Sequence, residues 1–214
     1  NSTFPRVLRP TPIKIYNIPE VLLNGINKLQ AFRTFQTNNI PCPEWTTEEE
    51  VAKGWFDEGD VVYTRSILNG TNGDGITIQT KGPENKPRTW MTLNNAKVHT
   101  RRFNGKLEYR IHVWEDSILH VQQKKKRKGD NFNTEFYVKN LSNGYIFAIQ
   151  DVQPPQPVLE ACIQAVKVVG LHFGAVDVGV KESDGSFCVF EINSRPALSG
   201  TTLIKYAEKF KELV

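Results

Sequence analysis

The sequence predicts an α+β fold in which antiparallel hairpins carry flanking helices, and three observations predict it. Residues 173–193 read as two apolar, strand-like segments around Ser183-Asp184-Gly185. Tyr109, Ile111 and Val113 alternate with Arg110, His112 and Trp114 ahead of a Glu115-Asp116-Ser117 turn. Leu22, Leu23, Ile26, Leu29, Phe32 and Phe35 recur instead at helical spacing. A period of two marks a strand face and a period near 3.6 marks a helix face.

Taken in order, residues 1–17 hold Pro5, Pro10 and Pro12 and little periodicity, so an extended arm is expected. A helix follows from Pro19 to about Asn38, weakened by Gly25 and ended by Ile40-Pro41-Cys42-Pro43. Thr46 with Glu49 resembles a capping box opening a short helix that ends near Lys53-Gly54. Val61 to Thr64 and Ile76 to Gln79 read as strands on either side of a glycine-rich loop, and Lys97 to Arg101 as another strand. Tyr109 to Trp114 and Ile118 to Gln123 form the clear hairpin, and Phe136 to Val138 with Tyr145 to Ile149 a further pair. The prolines of residues 153–157 stop the sheet and start a helix with Leu159, Cys162, Ile163, Val166 and Val169 on its apolar face, ended by Gly170. A last amphipathic helix carries Leu203, Tyr206, Ala207, Phe210 and Leu213.

The hairpin between them carries the chemistry. If its turn centres on Asp184, Asp177 faces Glu191, and directly opposed side chains of an antiparallel pair lie about 5 Å apart at Cβ, where like charges repel. A positive charge is needed between them. Asn193, two residues beyond Glu191, shares its face and adds an amide oxygen. Carboxylate and amide oxygens suit Mg²⁺, which is commonly held by one or two carboxylates together with substrate phosphates, so a nucleotide is the natural partner. A solvated hairpin with an acidic outer face fits the same pattern. The loop that follows, Ser194-Arg195-Pro196 and then Ala197 to Gly200, adds a cation and hydroxyls, which favours a site.

Composition bounds the remaining possibilities. A chain of 214 residues with 39% hydrophobic content can bury a proper core. It has no apolar stretch of membrane-spanning length and no signal-peptide succession at its start, which gives the expectation of a soluble cytoplasmic protein without a membrane partner. The three cysteines, Cys42, Cys162 and Cys188, lack metal-ligand spacing and read as buried thiols. A basic run, Lys124 to Lys128, fits a nucleic-acid patch, a solvated strand end or a polyphosphate clamp; no aromatic residues interleave with it, which argues against single-strand binding. The loop Ser66 to Gly75, with Gly70, Gly73 and Gly75, can lie over an anion and donate backbone N–H groups. It is not a Walker loop, because a strand and not a helix follows it. A flexible connection explains the loop equally well in isolation.

Together these features resemble the ATP-grasp superfamily over about residues 18–206. The resemblance rests on Lys28 within Asn27-Lys28-Leu29, Val62-Tyr63-Thr64-Arg65 before the glycine loop, Glu108-Tyr109-Arg110, the segment Gly170 to Asp177, and Glu191-Ile192-Asn193 with Arg195-Pro196. Within the superfamily the chain looks most like short bacteriophage-encoded carboxylate–amine ligases and ribosomal-protein-S6 glutamate ligases. The resemblance implies two lobes with antiparallel sheets holding ATP between them: a small lobe over residues 18–101 with the glycine loop, and a large lobe over 102–214 with the metal-binding hairpin. It also implies that the additional domain usual ahead of the small lobe is replaced by the short arm, and host cytoplasm as location if the chain is phage-encoded.

The implied roles fall on individual residues. Lys28 and Arg65 would contact ATP phosphates, with Arg65 standing where the family usually has lysine, and Gly70, Gly73 and Gly75 would close over the β and γ phosphates. Arginine keeps the charge but not the compact geometry of an ammonium. Val98 to Arg102 would form the hinge near adenine, and Glu108 would accept ribose hydroxyl protons. Arg110, Lys139 and Arg195 would steady phosphates or an acyl phosphate, with Asn140 beside them, while Asp177, Glu191 and Asn193 would hold Mg²⁺. The implied activity is an ATP-dependent ligase joining a carboxylate to an amine of an amino acid, peptide or protein through an acyl phosphate. Two other functions compete with it: a nucleotide-binding protein that keeps the fold without catalysis, and a nucleic-acid-binding module using residues 124–128.

Overall fold

In the computed structural model, which describes residues 16–70, 73–82, 89–127, 139 and 144–213, two antiparallel sheets follow one another along the chain. The first contains β1 (Trp45–Thr46), β2 (Val62–Arg65), β3 (Ile76–Gln79) and β4 (Val98–Arg101) in the order β1-β4-β2-β3. The second contains β5 (Leu107–Trp114), β6 (Ser117–Lys126), β7 (Tyr145–Ala148), β8 (Phe173–Val180) and β9 (Phe187–Asn193) in the order β7-β6-β5-β8-β9. Five helices accompany them among the described residues: α1 (Pro19–Ile26), α2 (Lys28–Thr37), α3 (Glu49–Asp57), α4 (Gln156–Val168) and α5 (Gly200–Lys211).

The large sheet is two-faced because its strands alternate. Tyr109, Ile111, Val113, Val176, Val178, Val180, Val189 and Ile192 bury one face in a common core with Val158, Cys162, Ala165 and Val166 of α4 and Leu22, Phe32 and Phe35 of α1 and α2. Full burial of each such aliphatic side chain contributes about 1.5–3 kcal/mol. The opposite face carries Glu108, Arg110, His112, Lys124, Asp177, Glu191 and Asn193. The strand alternation therefore hands Glu108, Arg110, Lys124 and Asp177 of the large sheet's central strands to one side. A smaller core of Ala52, Phe56 and Val62, with Trp55 and Trp90 against it, joins α3 to the first sheet.

Several sequence expectations change. The helix expected from Pro19 to Asn38 is two helices, because Asn27 is extended at ψ 110° and its side chain accepts from the Gln30 N–H at 3.1 Å, capping α2 while closing α1. Gly25 lies inside α1, where an added Cβ would come within 3.2 Å of Leu171. The capping box does not form: Thr46 Oγ1 accepts from the Glu48 N–H, Glu49 accepts from Trp90 Nε1 at 2.7 Å, and α3 runs past Gly54 to Asp57. On α5 the buried residues are Thr202 and Tyr206, and Leu203, Ala207, Phe210 and Leu213 are exposed. The surface beneath α5 is mixed: His112, His120 and Gln122 bond the Thr202 and Tyr206 hydroxyls, while the Trp114 and Phe173 rings take the Tyr206 and Phe210 rings. The expected strand at Phe136 to Val138 lies outside the described residues.

Candidate functional site

The hairpin of β8 and β9 pairs Asp177 with Glu191, the register expected from a turn centred on Asp184. That register holds only beyond an irregularity. Val180 pairs with Phe187 and Val178 with Val189, so a regular hairpin would bring Phe190 opposite Asp177; a bulge at this point restores Glu191. Phe190 then lies over Gly179, where an added Cβ would collide with its ring.

On β5, Arg110 pairs with Asp177 and completes a charged row across three strands. Its Nε donates to Asp177 Oδ1 at 2.7 Å and its Nη2 to Oδ2 at 2.8 Å, a two-pronged contact, and the guanidinium lies 4.5 Å from the Phe147 ring centroid. Lys124 Nζ donates to Asp177 Oδ2 at 3.1 Å and lies 3.6 Å from Glu108 Oε2. Lys139 Nζ holds Glu108 Oε1 at 2.9 Å. Lys28, the first residue of α2, reaches Glu191 Oε2 at 3.0 Å, while Asn193 Nδ2 lies 3.4 Å from Glu191 Oε1.

The electrostatics follow from these contacts. Burial opposes charge on Asp177, yet Lys124 and Arg110 hold its carboxyl far below the usual carboxylate range. Burial likewise works against Lys124 and Arg110, but the surrounding carboxylates raise both. Arg65, on β2, is depressed by burial, and the charge of Glu191 nearby partly offsets it. Its Nε is buried without a hydrogen-bond partner among the described residues.

The described ends of the glycine loop, 66–70 and 73–75, are held together by backbone bonds. Ser66 N–H donates to Gly75 O at 2.9 Å, Ile76 N–H to Gly73 O at 3.1 Å, and the Lys28 N–H to Leu68 O at 3.1 Å, tying the loop to the start of α2. Gly73 and Gly75 take left-handed φ values of 93° and 71°, and a Cβ on Gly70 would meet Asp74 O. The loop and Lys28 therefore share one anchor.

Of the residues expected at the site, Lys28, Arg65, Glu108, Arg110, Lys139, Asp177, Glu191 and Asn193 converge on this face. Arg195 lies in the exposed loop after β9, and Asn140 lies outside the described residues. Lys124 and Phe147 were missed. Lys124 was hidden in the basic run, although alternation from Gln122 places it on the inner face of β6, while Lys125, Lys126 and Arg127 are exposed. Five cations (Lys28, Arg65, Arg110, Lys124 and Lys139) thus surround three carboxylates (Glu108, Asp177 and Glu191). The surplus of cations and the Arg65 Nε, unpartnered among the described residues, fit a polyanionic phosphate chain, and the Glu191 carboxylate, with the Asn193 amide beside it and Asp177 opposite, offers the oxygen chemistry of a hard divalent cation.

No protein-family model matches this sequence, and no curated protein matches it. Solved structures do. ATP-grasp ligase PsnB complexed with minimal precursor, Mg and ADP is similar with a TM-score of 0.62 at 17% identity, over 92% of this chain and 61% of that one. D-alanyl-alanine synthetase A from Vibrio cholerae O1 biovar eltor aligns with a TM-score of 0.62 at 13% identity, over 91% and 63%. The macrocyclase MdnC bound with precursor peptide MdnA, from Microcystis aeruginosa, gives 0.55 at 16%, over 86% and 57%. The chain spans less than two thirds of the length of each. The likeness establishes the fold: two antiparallel sheets with flanking helices in the ATP-grasp arrangement.

Proposed function

We propose that this ATP-grasp fold serves an ATP-dependent carboxylate–amine ligase, forming an amide bond through an acyl phosphate. The observation that carries the reading is the charged row Arg110–Asp177–Glu191 with Lys28, Lys124, Lys139 and Arg65 converging on it. We take residues 18–101 as the small lobe and 102–214 as the large one, joined between β4 and β5.

Glu191, Asn193 and Asp177 would hold Mg²⁺, which supplies charge neutralisation to the phosphates when bound. Arg110 and Lys124, fixed on Asp177, present cationic N–H groups where negative charge develops on a transferred phosphoryl group. Lys28 and Arg65 approach from the small-lobe side, so phosphates would be clamped between sheets. Gly70, Gly73 and Gly75 let the loop backbone lie close above them and exclude water from a hydrolysable intermediate. Glu108, held by Lys139, would accept ribose hydroxyl protons, and exposed Arg195 would steady phosphates or the acyl phosphate. No side-chain nucleophile is needed: alignment of a carboxylate, then an amine, does the work.

The PsnB and MdnC structures contain precursor peptides, and the Vibrio enzyme is named for a dipeptide product. We therefore expect the carboxylate or the amine to belong to an amino acid, peptide or protein, as in the phage-type and S6-glutamate-ligase-like proteins. Incubation with Mg²⁺, ATP and an amino-acid and peptide panel should yield ADP, phosphate and an amide-linked mass in equal amounts. ATP binding without ADP formation across the panel would refute the ligase and leave a nucleotide-binding protein.

A further inference from the structure

The acids of the charged row are already engaged by the protein's own cations. Asp177 shares both oxygens between Arg110 and Lys124. Glu191 differs, because Lys28 is its one ion-pair partner among the described residues, at 3.0 Å, with the lysine side chain only 7% exposed. Lys28 is also fixed by its backbone to the glycine loop through Leu68 O.

We infer that Lys28 is a counter-ion switch: it guards Glu191 against a divalent metal until a nucleotide brings phosphates to receive its ammonium. The inference rests on the nucleotide site proposed above. A metal arriving alone must displace Lys28 and strand a buried ammonium without a counter-charge, which is strongly unfavourable. A metal arriving with a polyphosphate brings acceptor oxygens, and the ammonium, with three donors on a flexible stem, moves from carboxylate to phosphate. Arg65, half-buried near Glu191 and with its Nε unpartnered among the described residues, supplies a second donor to the same oxygens. Lys124 does not serve this purpose, because Asp177 stays paired with Arg110 if Lys124 leaves. Metal and nucleotide therefore bind as a coupled pair, each raising the affinity for the other by the same factor.

Mn²⁺ binding followed by electron paramagnetic resonance, corrected for Mn²⁺ held by free ADP, tests this on the whole chain, with ADP binding followed separately by calorimetry. Wild type should bind Mn²⁺ at least about tenfold more tightly with ADP than without it. Lys28→Met, and Lys28→Gln as a polar control, should bind Mn²⁺ alone about tenfold more tightly than wild type and lose most of the coupling. Equal Mn²⁺ affinity of wild type with and without ADP, while ADP still binds, would overturn the switch alone. Unchanged Mn²⁺ affinity in both folded variants would do the same. Absence of any ADP heat in wild type would overturn the nucleotide site itself, and the switch with it.

Discussion

Asp177→Asn removes one negative charge from between two half-buried cations while keeping the shape of the side chain. Asp177 is 3% exposed, and the Arg110 and Lys124 side chains retain 20% and 13% exposure. Breaking a buried pair by removing one partner costs about 3–5 kcal/mol, and the residual exposure of both cations places the expected loss near the lower end, about 3 kcal/mol at pH 7. For a chain of this size that corresponds to about 6–12 °C in melting temperature. The folded carboxyl titrates well below its unfolded value, so its contribution is complete above about pH 4 and fades as pH falls toward the folded value. The gap between wild type and variant should therefore narrow by about 1 kcal/mol at pH 3. Urea unfolding of both proteins at pH 7 and pH 3 measures this. A loss under about 1 kcal/mol at pH 7, or an identical gap at both pH values, would refute the view that Asp177 is the counter-ion anchoring Arg110 and Lys124.

Three further outcomes are expected. Burial pushes His112 down to about 4, so the unfolded chain takes up a proton first as pH falls; wild type should lose about 2 kcal/mol between pH 7 and pH 5, and His112→Gln should flatten that slope in urea titrations. Gly179→Ala should destabilise by about 1–3 kcal/mol in thermal melts, because the new methyl group meets the Phe190 and Phe103 rings. Lys124→Gln should weaken ADP binding by about fivefold or more in calorimetry, whereas replacing Lys125, Lys126 and Arg127 together by glutamine should change it by less than about twofold, because exposed charges are screened.

The α+β framework was legible because alternation and helical spacing are local. The hairpins over 109–123 and 173–193, the strand Ile76 to Gln79 and the helix Gln156–Val168 all appear where their patterns lie. What local pattern could not carry is competition between partners. Asn27 has ordinary helix-tolerated chemistry, and only its bond to the Gln30 N–H shows that it divides α1 from α2. Of the apolar positions expected to form a buried stripe on α5 only Tyr206 is buried; Thr202 joins it, because His120 and Gln122 on β6 beneath bond its hydroxyl. The opposed pair Asp177 and Glu191 was readable from the turn; which cation answers each acid was not, because Lys28, Arg110 and Lys124 lie far away in sequence. Lys124 was obscured by its neighbours, since a run of like charges conceals the strand alternation that turns one member inward.

The bulge at Phe190 reconciles two demands on β9 that a regular strand cannot meet. Val189 and Ile192 are both buried in the core although they stand three residues apart, while Glu191 must face Asp177 on the opposite side. Strict alternation would put Val189 on the same face as Glu191. One extra residue on β9 between Val189 and Glu191, opposite the Val178–Asp177 step of β8, changes the phase, placing Val189 and Ile192 below the sheet and Glu191 and Asn193 above it. Phe190, the residue left over, packs with Phe103 at 6.2 Å between ring centroids. Deleting Phe190 should therefore leave Asp177 opposite Glu191, because Val189 then precedes Glu191 directly and regular alternation suffices. The loss is confined to the ring's packing over Gly179, roughly 0.5–3 kcal/mol, and ADP binding should survive in the folded variant. A deletion variant that melts as wild type but no longer binds ADP would mean that the bulge shapes the site beyond setting its register; a variant that does not fold would mean that the twist introduced by the bulge, and not the phase change alone, holds β9 on the sheet.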